Sequence, residues 1–450
     1  SHQLPQNEEG LKVIADLMVI SLQTFERKIN AYRKRVIQIC NDFFSNFTTE
    51  RKENNSVESL LPKNLRDSNT VIELRDKWFT YNLLKSEKAK SLFSKIEKEF
   101  YDLISKTFLP EETLNVIDEY FSQLTSGIEI FSLFNSSRFV LETFVNLASK
   151  APQILKEIKQ NTDILASVLH KDFFKQFPPL EKVQTILDFH VNKDGADYED
   201  KLSLIRQCTN ELKFKVAVHL MSARCTISDA SLAYSIIAES VLKTLVPIVI
   251  CNFSKRYGAI GNGGITIIGM GKLGSREMSF TSDLDLIIVY NPYTLSKSDE
   301  GRKIHPSTYF SRLTKELVLA VTAQMADGYL YKIDMRLRPS GSKGPVAVSF
   351  SSFSNYQASE AWTWEHLALV RSRVVYGSPV FSTKVERVIL NAIKNSKNLS
   401  NVYSDVKVMR GKLFNNFKNE NKKIRSFNFK GGKGMMQDLE LLIHMGALVT

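Results

Sequence analysis

Cysteine is scarce in this sequence, and its scarcity excludes two classes of protein. The chain of 450 residues has four cysteines, none of them in a CxxC pair or beside a histidine cluster: Cys40, Cys208, Cys225 and Cys251. A disulfide scaffold and a thiolate metal site both need closely spaced cysteines. We therefore expect a protein of a reducing compartment, the cytoplasm.

Long uninterrupted apolar runs are missing as well. The most apolar stretch, residues 231–253, is broken by Glu239 and Lys243, so it falls short of the roughly 20 apolar residues that a membrane span needs. We expect a buried helix there and no membrane association. The first 28 residues contain no basic segment followed by a clean apolar one, so we expect no secretory signal.

Acidic residues are fewer than basic ones, 48 Asp and Glu against 60 Lys and Arg, which gives a net charge of +12. The segment 401–434 alone has nine basic and two acidic residues, with asparagine interleaved. A solvated basic face explains such a segment, and charge alone says nothing about fold or substrate. We therefore predict no nucleic-acid binding from charge.

The spacing of apolar residues divides the chain into three parts. Helical spacing runs from about residue 11 to 195, whereas short β-branched runs follow Gly258. Strands are predicted at GGITIIGMG, LDLIIVY, YLYKIDMRLR and PVAVSF, with a helix over 305–328, and helical spacing resumes from 350 through EAWTWEHLALVRSRVVYG. We predict a mainly α protein with a helical region at 1–195, an α/β domain at 196–380 and a helical domain at 381–450. The last helix stops without a capping signal, so we expect the chain to be cut inside that domain.

Two carboxylates at the start of one predicted strand are the first candidate for chemistry. Asp283 and Asp285 lie two residues apart, so both point to one face while Leu284 points into the core. Paired carboxylates suit Mg²⁺, which keeps its remaining positions for water and substrate phosphates. A two-metal site needs a third acid on a neighbouring strand, and Asp334 is the candidate. The alternative is an exposed strand end with solvated acids.

Glycines precede these acids. Gly269, Gly271 and Gly274 surround Lys272 directly after a strand, with Ser275 following, and such a turn lets backbone N–H groups approach a phosphate. The spacing does not match a Walker loop. It does match GxGxxG, but the acids return after about ten residues rather than the about 20 of a dinucleotide-binding fold.

Two arginines follow Asp334. Arg336 and Arg338 are predicted to continue the same strand face, where they would contact phosphates or pair with the acids. Trp362 and Trp364 are expected in the core, and His366 is expected to be packed rather than catalytic.

Three segments together resemble a known family. GMGKLGSREMSFTSDLDLIIVY, YKIDMRLRPSGSKGPVAV and EAWTWEHLALVRSRVVYG are similar to the glutamine synthetase adenylyltransferase/adenylyl-removing enzymes of the DNA polymerase beta-like nucleotidyltransferase superfamily. The resemblance is strong from 263 to 378 and weaker back to about 126. The last segment resembles the C-terminal, adenylylating half, which makes residues 1 to about 45 the expected tail of the first half.

The resemblance implies a reaction and a set of partners. AMP would move from ATP to a tyrosine of glutamine synthetase, with pyrophosphate released, under control of the nitrogen-regulatory PII protein and of glutamine. The implied site comprises three metal-binding acids, Asp283, Asp285 and Asp334, and a nucleotide-binding set, Gly271, Lys272, Ser275, Ser282, Arg336 and Arg338.

Two positions depart from the family pattern, and several functions stay open. Lys272 stands where the superfamily usually has serine, and the glycines before Asp438 and Glu440 are rearranged, so we expect that last pair to be structural. The alternatives are the deadenylylating half, a nucleotidyltransferase acting on RNA or a small molecule, and a non-catalytic regulatory module.

Overall fold

The computed structural model describes most of the chain between Asn69 and Val449. Before residue 69 the described residues are 12, 15, 18, 20–32, 34–35, 61–62 and 65. After residue 69 the residues that are not described are 159–163, 166, 168–172, 174–179, 193–194, 260–263, 293–303, 326–327, 396–398, 421–429, 432 and 450. Much of the predicted helical region before residue 69, and part of the basic segment 401–434, therefore lie outside the described residues.

The first described module is helical, as its apolar spacing predicts. Ser86 caps the second helix by accepting a hydrogen bond from the Ala89 backbone N–H, and Pro110 occupies the first turn of the third, where its missing N–H costs nothing. The helices are α1 (Asn69–Trp78), α2 (Glu87–Ser105), α3 (Pro110–Ser122), α4 (Ile128–Ser136), α5 (Arg138–Lys150) and α6 (Pro152–Ile158).

Aromatic rings form the core of this module. Trp78 is fully buried, and Phe93, Phe100 and Phe121 contact it edge to face with ring centroids 6.2, 6.0 and 5.2 Å away. Phe121 also stacks on Phe144 at 6.1 Å. Edge-to-face and offset stacked pairs are the favoured aromatic geometries, so these contacts add to the free energy of burial.

Three further helices lead to the sheet: α7 (Val183–Val191), α8 (Tyr198–Met221) and α9 (Ile227–Tyr257). Capping boxes fix the starts of α8 at Asp197 and of α9 at Thr226. By length and composition α9 could cross a membrane, but 61% of its most apolar window is buried inside the protein, where α9 packs against α7 and α8. The prediction of a buried helix over this stretch is confirmed.

A small mixed sheet follows, with β1 (Ile265–Gly269), β2 (Leu284–Tyr290), β3 (Ile333–Asp334), β4 (Val348–Ser349) and β5 (Arg373–Tyr376). The order is β3-β2-β1-β5, and β4 also pairs with β2. β1 runs antiparallel to β2 and β5, whereas β2 runs parallel to β3 and β4. Both short strands therefore lie on the same edge of β2, β3 at its start and β4 at its end.

Helices cover both faces of the sheet. Leu286 and Ile288 of β2 pack into the core that contains α9 and α11 (Pro306–Thr322), and Ile287 and Val289 pack on the other side. A one-turn helix, α10 (Gly271–Gly274), joins β1 to β2. The remaining helices are α12 (Phe350–Ser359), α13 (Thr363–Leu369), α14 (Pro379–Asn395), α15 (Leu399–Glu420) and α16 (Met436–Val449).

Two element predictions are wrong. YLYKIDMRLR contributes only the two residues of β3, because the Asp334 side chain accepts a hydrogen bond from the Arg336 N–H at 2.8 Å and turns the chain away from the sheet. The segment predicted as helix over 360–377 contains α13 and then β5, because Val374 and Val375 extend beside β1. The coarser prediction of a mainly α protein that also contains strands is confirmed, and the strands form a small mixed sheet.

Phe121→Ala should lower the free energy of unfolding of the first module by about 3–5 kcal/mol, because it removes a buried ring from the Trp78 cluster and leaves a cavity. Urea unfolding followed by tryptophan fluorescence measures the change. Phe108→Ala is the matched control, since Phe108 is 93% exposed. Equal destabilisation by the two variants would contradict this account of the core.

Candidate active site

Two of the three acids singled out in the sequence face each other where β2 and β3 pair, and the third lies just before β2. Leu284 is fully buried, as predicted, and Asp285 follows it within β2, whereas Asp283 lies exposed just before the strand. The parallel register of β2 and β3 places Asp285 directly opposite Asp334. A two-residue strand thus brings together acids 49 positions apart in the sequence.

Asp285 has a strongly perturbed pKa. Burial raises the pKa of its carboxyl to about 6, and the negative charges of Asp334 and Asp283 act in the same direction, while Arg336 and Arg371 oppose them. A cation placed among carboxylates stabilises their ionised form, and the effect is greatest where the carboxylates are close together and half-buried.

Asp334 is paired with an arginine in this structure. The Arg336 guanidinium donates to both carboxylate oxygens, with Nε 3.1 Å from Oδ1 and Nη2 2.5 Å from Oδ2. These hydrogen bonds lower the pKa of Asp334. Arg336 itself is exposed, with 78% of its side chain open to solvent. Of the two roles considered for Arg336, ion pairing is the one seen here.

Arg338 does not share a strand face with Arg336, and that prediction is wrong. It is buried to 9% exposure and donates to the backbone carbonyls of Met335 at 2.7 Å and Pro345 at 3.1 Å. The chain leaves the sheet after Asp334, so residues 335–345 form a loop whose inward carbonyl oxygens Arg338 satisfies. Arg338 therefore organises the loop that follows Asp334.

The glycine turn is packed against Asp285. Gly271 has a positive φ of +52°, and a Cβ built on it would lie 2.7 Å from Asp285 Oδ2. The neighbouring Met270 N–H donates to the Asp285 carbonyl at 2.8 Å. Both the backbone conformation and the close approach of a carboxylate demand glycine at position 271.

The other residues of the predicted nucleotide-binding set lie on this turn or on the next one. Lys272 is exposed. The Ser275 hydroxyl lies 3.0 Å from the Gly271 carbonyl oxygen and 2.9 Å from Glu277 Oε2. Ser282 Oγ accepts from the Ser279 N–H at 2.9 Å, which fixes the turn just before Asp283.

Arg371 is a residue of this site that the sequence analysis missed. Its guanidinium donates to Ser275 Oγ at 2.9 Å, to Glu277 at 2.5 Å and to Glu440 of α16 at 3.0 Å. It lies inside the segment EAWTWEHLALVRSRVVYG. Because that segment was predicted to be one helix, the prediction gave no reason to place Arg371 near the acids or the glycine turn. A change from helical spacing to β-branched Val374 and Val375 was the available signal.

The expectations for the other residues of this region have mixed outcomes. Asp438 has a structural role, as expected, because Arg410 and the Gly434 N–H bind its carboxylate and lower its pKa to about 2. The expectation that Trp362 and Trp364 are core residues is wrong, since they are 72% and 40% exposed.

The donor chemistry of the three acids suits a hard divalent cation. Carboxylate oxygens are its preferred ligands, and the register of β2 and β3 sets Asp285 opposite Asp334. Among the residues that the structure describes, however, no group of three or more His, Cys, Asp or Glu side chains is arranged to hold a metal ion. Asp334 would have to leave Arg336 before it could join Asp285 and Asp283 around a cation.

A small mixed sheet within a helical protein, with acids and a glycine turn at one edge, is consistent with the class of nucleotidyltransferase-like proteins. Comparison with protein families narrows the class. A family profile described as glutamate-ammonia ligase adenylyltransferase matches residues 141–388, which is more than half of the chain. The chain belongs to this family.

Curated relatives agree with this assignment. Bifunctional glutamine synthetase adenylyltransferase/adenylyl-removing enzymes of Mesorhizobium japonicum and Rhizobium meliloti are 29% and 27% identical over 92% and 100% of the chain. That of Rhodopseudomonas palustris strain HaA2 is 33% identical over 74% of it. The matches cover 43%, 47% and 34% of these relatives, so the chain spans less than half of their length.

Asp285→Asn should make the metal-free protein more stable at neutral pH. The folded-state pKa of Asp285 is raised to about 6 from 3.8, so the ionised carboxylate destabilises the fold, increasingly as pH rises from 3.8 through about 6. Solvent reaches the side chain, which reduces the effect to about 1 kcal/mol, or about 2–4 °C in melting temperature. Thermal melts in EDTA at pH 8 should show this gain, and melts at pH 5 a smaller one.

Asp76→Asn is the matched control, because Asp76 is an exposed aspartate of α1 and its charge is not among those that act on Asp285. The account of Asp285 would be contradicted if Asp285→Asn did not raise the melting temperature at pH 8, or raised it equally at pH 5 and pH 8.

Proposed function

We propose that residues 196–380 form a nucleotidyltransferase domain of the DNA polymerase beta-like superfamily, which transfers AMP from ATP to a tyrosine of glutamine synthetase and releases pyrophosphate. The observation that supports this most strongly is the register that sets Asp285 opposite Asp334, with Gly271 against the Asp285 carboxylate. Family membership and the names of the relatives support the choice of reaction. The helical regions 1–195 and 381–450 flank this domain.

The glycine turn is the proposed site for the β- and γ-phosphates of ATP. Gly271 gives the turn the positive φ that sets its course, and the exposed Lys272 would supply positive charge to the phosphates. Ser275, at the end of this turn, and Ser282, just before Asp283, complete the proposed nucleotide-binding set. Arg338 acts in this proposal by shaping the loop after Asp334.

The three acids are the proposed ligands of Mg²⁺ in a two-metal arrangement. When bound, magnesium stabilises negative charge that develops on the transferred phosphate. Asp283 and Asp285 would hold it from β2, and Asp334 from β3. Arg336, exposed and next to Asp334, would turn toward the α-phosphate.

The proposed reaction is an in-line displacement at the α-phosphorus. The tyrosine oxygen forms a bond to phosphorus, the bond from phosphorus to the oxygen that bridges to the β-phosphate breaks, and pyrophosphate leaves. The phenol proton, with an ordinary pKa of about 10, passes to Asp334. Arg336 lowers the pKa of Asp334 in the present arrangement, so in this proposal Arg336 leaves Asp334 before Asp334 accepts the proton.

The partners follow from the family resemblance. Glutamine synthetase is the proposed protein substrate, and the PII protein and glutamine are proposed effectors of a cytoplasmic enzyme. We assign no residue to either effector. Nucleic acid has no part in the proposal.

Label transfer tests the function directly. The purified chain is incubated with Mg²⁺, α-labelled ATP and unmodified glutamine synthetase, and label on a synthetase tyrosine is the expected result. Label released from pre-adenylylated synthetase when phosphate is supplied, without forward transfer, would replace the proposal with deadenylylation. The proposal would be contradicted if neither reaction occurred, whether label went to RNA or a small molecule or was not transferred at all.

Asp283→Asn and Asp334→Asn should each lower the transfer rate by about 10²- to 10³-fold or more, because each removes a carboxylate that would hold the cation beside the transferred phosphate. Circular dichroism should show an unchanged fold. Asp200→Asn, a change at the exposed start of α8, is the control and should keep the wild-type rate. Full turnover in either site variant would rule out the three-acid assignment.

Lys272→Ala should raise the KM for ATP about tenfold, the equivalent of one charge-assisted hydrogen bond of about 1.5 kcal/mol, and change kcat less. Lys255→Ala, at an exposed lysine in the last turn of α9, is the control. An unchanged KM would mean that Lys272 faces away from the phosphates.

A further inference from the structure

Arg371 joins three segments that are far apart in the sequence. Its Nη2 lies 2.9 Å from Ser275 Oγ and 2.5 Å from Glu277 Oε2, and its Nη1 lies 3.0 Å from Glu440 Oε1. Ser275 and Glu277 directly follow the glycine turn, whereas Glu440 belongs to α16. One guanidinium therefore connects the proposed phosphate end of the site to the last described helix.

The backbone of Arg371 is equally close to the turn. A Cβ built on Gly274 would lie 2.0 Å from the Arg371 carbonyl oxygen and 2.7 Å from the Gly269 carbonyl oxygen. The turn and the segment before β5 are therefore packed in direct backbone contact. A side chain at position 274 would therefore push the Arg371 backbone away from the turn.

The charges around Arg371 argue against a direct role in holding ATP. Two carboxylates, Glu277 and Glu440, already neutralise its guanidinium. The Arg371 side chain is only 17% exposed, whereas Glu277 and Glu440 are 63% and 43% exposed, so the arginine is enclosed while its acidic partners stay in contact with solvent. A neutralised and enclosed arginine fixes the positions of its partners more readily than it captures a new anion.

We propose that Arg371 is a positioning residue for the glycine turn and that Glu440 sets its position from α16. Arg371 holds Ser275 and Glu277 in place, so the turn is ready to receive the polyphosphate of ATP. The placement of α16 in the helical region then determines how well the site binds nucleotide. This inference rests on the proposed function.

Nucleotide binding and turnover separate this role from a general loss of structure. The dissociation constant of the Mg²⁺ complex of α,β-methylene ATP is measured by calorimetry, and KM and kcat by label transfer. Arg371→Ala should weaken analogue binding and raise KM about tenfold, and Glu440→Gln about threefold, since each breaks a charge-assisted contact. In both variants kcat at saturating ATP should stay within about twofold of the wild type.

Glu316→Gln is the matched control. Glu316 pairs with Arg256 at 3.0 Å between α11 and α9, with 32% of its side chain exposed against 43% for Glu440. It does not touch the turn, so its removal should leave the dissociation constant unchanged. Arg371→Lys keeps the charge, should recover part of the affinity, and serves in place of Arg371→Ala if that variant does not fold.

The double variant Arg371→Ala with Glu440→Gln tests whether Glu440 acts through Arg371. Affinity no weaker than that of Arg371→Ala alone is expected, because the second change removes a contact already lost. Additive losses, unchanged binding in Arg371→Ala, or a fall in kcat with unchanged binding would each overturn the proposal. If the unmodified chain does not bind the analogue, both the proposed function and this inference are contradicted. If the unmodified chain and Arg371→Ala bind the analogue equally well, only this inference is contradicted.

Discussion

The pairing of β2 with β3 is the constraint on which the candidate site depends. Two residues of β3 suffice to set Asp334 opposite Asp285. This pairing costs free energy, because it holds negatively charged carboxylates close together at a half-buried position. That cost appears as the raised pKa of Asp285 and is offset in this structure by the Arg336 ion pair with Asp334. The surrounding hydrophobic core keeps the strands in register, because Leu284 and Ile287 are fully buried on opposite faces of β2.

The acids and the glycine turn could be predicted from the sequence because their signals are local. A period of two predicts that Leu284 is buried and that Asp285 points the other way, and both hold in β2, although the strand begins only after Asp283. Gly271 stood out by its position after a strand, although only the structure identifies its neighbour as the Asp285 carboxylate. The mainly helical architecture could also be predicted from local signals, because helical spacing of apolar residues persists over long segments.

The arginines could not be placed in this way because their partners are distant or depend on a turn. Arg336 and Arg338 were assigned to a strand that ends at Asp334, where a side-chain to backbone hydrogen bond overrides β propensity. Arg371 has partners 96 and 69 positions away, at Ser275 and Glu440. No periodicity encodes such contacts, so the link between α16 and the glycine turn emerges only from the fold.

The most direct test of the account is a crystal structure of the chain with Mn²⁺ and α,β-methylene ATP, in which anomalous scattering locates the metal. We expect manganese bound to the carboxylates of Asp283, Asp285 and Asp334, with Arg336 turned away from Asp334 and the phosphates at the glycine turn. Nucleotide bound elsewhere, or bound at the turn with Asp334 still paired to Arg336 and no metal among the acids, would contradict it.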